Sequence, residues 1–176
     1  ELSTRVVSVK EGEITIEKDG GQIVLPCGKV LMSIGRRPNS ADMGLEQIGI
    51  AMDRAAVITD ERMRTNVPGV WAAGDINGKS MLAHTAYREA EVAVNDMLGI
   101  PDIMRYDAIP SVIYTNPELS SVGLTEQEAE KRGISVRVVK LPMNYAGRYR
   151  AENEDGRGIM KLLVDQMGEN DRVAIV

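Results

Sequence analysis

Alternating apolar and polar positions dominate the first 26 residues. Val6, Val7 and Val9 open the pattern, Ile14 and Ile16 alternate with polar neighbours, and Ile23, Val24 and Leu25 follow the turn signal Asp19-Gly20-Gly21. A period of two, broken by Asp-Gly, predicts a small antiparallel meander within residues 5–35. The run Val30-Leu31-Met32-Ser33-Ile34 loses the alternation. Its near-uniform apolar character predicts a strand buried on both faces. Gly35-Arg36-Arg37-Pro38-Asn39 ends it abruptly, and the stretch to about residue 55 reads as loop and short helix, punctuated by Gly44 and Gly49. Val57-Ile58 is a short strand candidate, Thr65-Asn66-Val67-Pro68-Gly69 a turn, and Val70-Trp71-Ala72-Ala73 a short buried strand that stops at Gly74-Asp75.

The period then changes to that of a helix. Ala86, Ala90, Ala93, Val94 and Met97 predict a helix from about Met81 to Leu98, capped by Gly99 and stopped by Pro101. From about residue 106 the texture changes again. Val112-Ile113-Tyr114 reads as a strand closed by Asn116-Pro117, and Thr125-Glu126-Gln127-Glu128 is a capping box opening a helix that ends at Gly133. Strands are predicted at Val136–Leu141, at Ile159–Val164 and from Val173 to Val176, where the chain stops inside an apolar run. That stop, with Glu1 rather than Met at the start, is the pattern expected of a piece of a longer protein.

Composition narrows the function classes. The 176 residues are 43% hydrophobic but only 3% aromatic, with no Phe, so the core must be built from Val, Ile, Leu, Met and Ala. Lys and Arg number 21 against 26 Asp and Glu, a net charge of −5, which argues against a nucleic-acid binder. No stretch has the length of a membrane span and no signal-peptide pattern is present. A single cysteine, Cys27, excludes an internal disulfide and any all-cysteine metal cluster; it reads as a small, partly buried residue in a reducing, cytoplasmic setting.

Three places could carry chemistry. At Trp71-Ala72-Ala73-Gly74-Asp75, small residues lead to a strand end where ligands of open α/β sheets collect. Asp75 there is suited to accept hydrogen bonds from sugar-like hydroxyls, although an ordinary strand-to-turn Gly-Asp fits the same residues. Met81-Leu82-Ala83-His84 begins the following helix, whose free amides favour an electron-rich ligand. His84, the only histidine, reads more simply as a helix-start residue satisfied by a neighbour, and a lone His is a poor metal ligand. At Ile34-Gly35-Arg36-Arg37-Pro38, Gly35 permits close backbone approach and the arginines could meet phosphates, but a tight turn with solvated arginines accounts for it equally. No Gly-rich dinucleotide loop, P-loop, zinc-protease motif or nucleophile elbow is present.

Taken in order, these signals resemble the flavoprotein disulfide reductases. Val30 to Asn39 looks like that family's return strand from its NAD domain, and Thr65 to Asp75 (TNVPGVWAAGD) like its second flavin motif. Met81-Leu82-Ala83-His84 before an Ala- and Glu-bearing helix is similar to the dihydrolipoamide dehydrogenase branch. So are Ile109 to Glu118, Val122 to Thr125 and Gly158-Ile159-Met160-Lys161, which look like that branch's dimerisation domain.

The resemblance implies an α/β parent of the FAD/NAD(P)-binding Rossmann-like kind. The chain would hold the end of the NAD-binding domain (1–40), a central FAD-contacting segment (41–105) and a truncated α+β dimerisation domain (106–176). It implies that Asp75 binds the ribityl or adjacent part of FAD, that Met81, Leu82, Ala83 and His84 line the flavin, chiefly through backbone at Ala83, and that Gly35 touches NAD. It implies a homodimer working with the lipoyl domain of a 2-oxoacid dehydrogenase or glycine cleavage complex, without nucleic acid or membrane. The reaction would carry electrons from a dihydrolipoyl dithiol through an enzyme disulfide and FAD to NAD. The family's redox cysteine pair, its two Gly-rich dinucleotide loops and its C-terminal His-Pro motif do not occur in these 176 residues. No residue here is therefore assigned a catalytic or metal-binding role, and the chain alone is expected to be inactive. The rival readings are a mercuric- or glutathione-type reductase and a non-catalytic dimerisation module.

Overall fold

The structure is a computed structural model; it describes residues 2–165 and the backbone of residues 172–175. The chain divides into two compact units between Arg37 and Pro38.

The first unit is the meander that the alternation predicts. Strands β1 (Arg5–Lys10), β2 (Glu13–Lys18) and β3 (Gly21–Pro26) pair antiparallel in that order. Ile14 faces Leu25 and Ile16 faces Ile23 across the β2–β3 ladder. Asp19 and Gly20 join those strands as a two-residue loop, both at positive φ (52° and 78°), the geometry that matches the right-handed twist of a hairpin. Ile16 is buried in this unit, whereas Val6, Val9, Ile23, Val24 and Leu25 are exposed. Cys27 is a free thiol of intermediate exposure.

The expected strand at Val30–Ile34 is not formed. Residues 27–40 have no regular structure, and Leu31, Met32 and Ile34 are 90%, 78% and 86% exposed. An apolar run becomes a buried strand only where neighbouring strands supply a ladder and both faces are covered. Among the described residues no strand pairs with it.

The second unit begins with turns. No helix forms over residues 41–55; instead Gly44, Leu45 and Glu46 carbonyls accept from Gln47, Ile50 and Gly49 amides. The two-residue strands β4 (Met52–Asp53) and β5 (Ala56–Val57) form a hairpin, so Val57 is in a strand while Ile58 lies beyond it. The Asn66 side-chain amide ties the turn region together. Its Nδ2 donates to the Gly49 carbonyl at 2.8 Å and its Oδ1 accepts from the Ala51 amide at 2.7 Å.

The Val70–Ala73 segment is half-buried and makes only a single bridge, Trp71 to Arg64, rather than a strand. The Ala72 amide donates to the Met63 carbonyl and the Thr65 amide to the Val70 carbonyl, so among the described residues the segment has one short antiparallel neighbour and no second ladder. Helix α1 (Ala83–Met97) follows, closing at Gly99 with φ 72°. A core of Met63, Val92, Ala93 and Met104, flanked by Trp71, Tyr106 and Ile109, packs against its inner face.

The face of α1 that is buried is not the one the apolar spacing suggests. Thr85, Glu89, Val92, Ala93 and Asp96 are buried, whereas Ala90, Val94 and Met97 are exposed. Two carboxylates on the inner face are retained because each meets several donors.

Beyond α1, β6 (Ser111–Ile113) and β7 (Leu119–Ser121) form a hairpin. The capping box starts α2 (Glu126–Lys131), with Thr125 and Glu128 exchanging side-chain and backbone hydrogen bonds. Strands β8 (Val136–Pro142), β9 (Ile159–Asp165) and β10 (Arg172–Ile175) form an antiparallel sheet in the order β10-β9-β8. Helix α3 (Gly147–Glu152), which the pattern did not suggest, lies in the connection between β8 and β9. Lys161 on β9 pairs with Glu126 on α2 at 2.7 Å. The expected final strand is present as backbone from Arg172 to Ile175, and Val176 lies outside the described residues. The mixture of helices and strands agrees with the expected partial α/β and α+β character, and every paired strand among the described residues is antiparallel. No helix among them is long and apolar enough to cross a membrane.

Candidate functional site

The loop after Ala73 is shaped by two glycines. Gly74 adopts φ 84°, ψ −160°, a region open in practice to glycine alone. A Cβ there would also sit 3.4 Å from that of Ala86, which places the loop against the second turn of α1. Asp75–Asn77 then forms one turn of 3-10 helix, with the Asn77 amide donating to the Gly74 carbonyl and the Gly78 amide to the Asp75 carbonyl. Gly78 closes it at φ 68°, where a Cβ would meet Ala56 at 2.9 Å.

Asp75 is exposed, and its carboxylate makes no hydrogen bond or ion pair among the described residues. Asn77 beside it is buried. Its Oδ1 accepts from the Lys79 amide at 2.9 Å and its Nδ2 donates to Glu89 Oε2 at 2.8 Å.

Glu89 fixes this loop. It is 0% exposed, and its Oε2 also accepts from the Gly74 amide at 2.6 Å, while Oε1 accepts from the Tyr106 hydroxyl at 2.6 Å. Burial, and then the adjoining Glu89 carboxylate, push the Tyr106 hydroxyl above its ordinary pKa, so it stays a donor. Lys79 Nζ lies 5.5 Å from the centre of the Tyr106 ring and donates to the Thr59 carbonyl at 2.9 Å.

The start of α1 is the second part of the site. Leu82 is the N-cap residue and provides no side-chain cap, and the first turn carries no acidic residue. The first amides of the helix are therefore left for another acceptor. Met81 and Leu82 are half-buried, Ala83 and His84 exposed. His84 Nε2 lies 2.8 Å from the Pro110 carbonyl, to which it donates. Its ring is thus engaged by a neighbour, leaving its backbone rather than its imidazole for a ligand.

Further along α1, Asp96 receives Nε and Nη2 of Arg64 at 2.6 and 2.5 Å and the Trp71 indole at 2.9 Å. The Arg64 guanidinium, helped by the Trp71 N–H, holds its pKa down to about 2. Arg88 grips Asp102 in the same two-pronged way at 2.9 and 2.6 Å, with Asn95 adding a third bond at 2.8 Å, and Asp102 is likewise lowered to about 2. These pairs anchor α1 to the chain on either side of it.

The structure therefore sets the Gly74–Asn77 loop against α1, through the approach of Gly74 to Ala86 and the Glu89 clamp. Gly35 belongs to the first unit, outside any element, with φ 97° and no atom within 4 Å of a would-be Cβ. Sequence reading missed Asn77, Glu89 and Tyr106. Glu89 could have been found as a carboxylate spaced four and three residues from Thr85 and Val92 on one helical face.

The site can present a carboxylate to hydroxyl groups and free amides to an electron-rich edge. It holds no thiol pair, and no group of metal-ligating side chains occurs among the described residues.

Comparison with known proteins gives the family. Residues 1–90 match the profile of the pyridine nucleotide-disulphide oxidoreductases, and residues 109–174 that of their dimerisation domain. The chain is 41% identical over 175 residues to a dihydrolipoyl dehydrogenase of Manduca sexta, covering 94% of this chain and 35% of that protein. It is 42% identical over 151 residues to one of Bacillus subtilis, covering 85% and 32%. It therefore spans about a third of the length of these relatives.

Among solved structures, LpdA from Mycobacterium tuberculosis superposes with a TM-score of 0.75 at 27% identity, over 96% of this chain and 38% of that one. The HOCl-induced flavoprotein disulfide reductase RclA of Escherichia coli gives 0.70 at 28%, over 95% and 39%. The chain belongs to the pyridine nucleotide-disulphide oxidoreductase family.

Proposed function

We propose that the full-length protein is a dihydrolipoyl dehydrogenase, oxidising a dihydrolipoyl dithiol and reducing NAD, and that this chain supplies part of its flavin surroundings and of its subunit interface. The observation that carries the reading is the exposed Asp75 carboxylate, without a partner among the described residues, on a Gly74 turn packed against α1, whose own start is uncapped. The residues fit FAD. Asp75 would accept hydrogen bonds from ribityl hydroxyls, and the backbone at Met81, Leu82, Ala83 and His84 would meet the flavin, with Ala83 foremost. FAD, when bound, supplies the two-electron acceptor between dithiol and NAD. The chain's own part is to bind, orient and exclude water; no acid, base or nucleophile of the reaction is assigned to it.

Residues 1–40 would complete an NAD-binding domain, with Gly35 against the nucleotide; residues 41–105 would contact FAD and residues 106–176 the second subunit of a homodimer. The dimerisation match over 109–174 supports that last assignment. The partner would be the lipoyl domain of a 2-oxoacid dehydrogenase or glycine cleavage complex, met in the cytoplasm. The similarity to RclA favours one alternative, a flavoprotein disulfide reductase of different substrate. Steady-state assays of the full-length protein separate the two. NADH formation from dihydrolipoamide and NAD is expected, with the 176-residue chain alone inactive. Turnover by the isolated chain, or a full-length protein that ignores dihydrolipoamide and reduces another disulfide or a metal ion, would contradict the proposal.

A further inference from the structure

Glu89 is unlike the other carboxylates that anchor α1. Asp96 and Asp102 are each matched by an arginine fork. Glu89 is 0% exposed and, among the described residues, has no cation paired with it; three dipolar donors serve it instead. A buried charge held by hydrogen bonds alone is costly, and an apolar side chain of the same length would avoid that cost. Two of the three donors, the Gly74 amide and Asn77 Nδ2, flank Asp75 in sequence. Gly74 sits in a backbone region that glycine enters freely, so its own sterics do not select this shape over others and neighbouring contacts must hold it.

We propose that Glu89 is a positioning residue. Its carboxylate holds the Gly74–Asn77 loop in the shape that turns Asp75 outward, before any ligand arrives. It acts through the loop backbone, touching neither cofactor nor substrate. The inference rests on the flavin reading only for the identity of the ligand that Asp75 meets.

Amide hydrogen exchange on the complete chain tests it, comparing Gly74 with Val92 in the core of α1. Glu89→Met keeps length and volume but removes the acceptor. It is expected to speed Gly74 exchange at least tenfold while Val92 changes less than threefold. Glu89→Gln is expected to rescue protection, because its carbonyl can accept from Gly74 and Asn77 while its amide donates to the Tyr106 oxygen. Tyr106→Phe keeps both loop bonds and should leave Gly74 protected, which maintains the test if Glu89→Met fails to fold.

Unchanged Gly74 exchange in Glu89→Met, equal acceleration of Gly74 and Val92, or lost protection in Tyr106→Phe would overturn the proposal. Quenching of FAD fluorescence, read on the full-length protein, separates the two claims. A wild-type full-length protein that leaves FAD unquenched while Gly74 still responds to Glu89→Met counts against the flavin reading and for the positioning role.

Discussion

Asp96 and Asp102 show how much of this fold is decided by single carboxylates. Both are held near pKa 2 from an ordinary 3.8 by arginine forks, so both bind protons less readily folded than unfolded. Their stabilisation is fully present above about pH 4, the unfolded carboxylate range, and is lost as pH falls through about 2. Acid titration followed by circular dichroism should therefore show stability falling between those limits. Asp96→Asn should be less stable at neutral pH and flatter across that window; an unchanged acid profile in that variant would contradict the assignment. At the same scale, the turn at Gly74-Asp75 was legible in the sequence because Gly-Asp after small apolar residues breaks an extended run. Glu89 was not, because a charged residue within a helix ordinarily reads as solvated. Only the fold supplies the three donors that make its burial tolerable.

Elements set by local chemistry followed the sequence closely. The Asp19-Gly20 hairpin needs two positive φ angles, and α2 needs only its own Thr125 and Glu128. Thr125→Ala should cost about 1 kcal/mol of stability in chemical denaturation. A variant as stable as the parent would show that the cap is redundant. Elements that depend on distant partners were misread. Among the described residues the Val30–Ile34 run has the composition of a buried strand but no ladder to join, and Val70–Ala73 makes a single bridge where a strand buried in a sheet pairs on both sides. The helix α1 was found by its period, yet its buried face was not, since Glu89 and Asp96 are polar by type and internal by contact.

For the whole molecule, these unmet requirements have a consequence. Leu31, Met32 and Ile34 are exposed, as are apolar positions of β1 and β3, so the chain should self-associate. Multi-angle light scattering should give a mass above that of the monomer, reduced by the double substitution Leu31→Lys and Met32→Lys; a clean monomer at high concentration in the parent chain would contradict this. Family membership rests on the matched profiles, whereas the proposed activity rests on the proposal that Asp75 faces a flavin. The most direct measurement is a crystal structure of the full-length protein with FAD bound. The account predicts an Asp75 carboxylate oxygen within about 3.2 Å of a ribityl oxygen. An Asp75 side chain in bulk water, remote from the flavin, would contradict it.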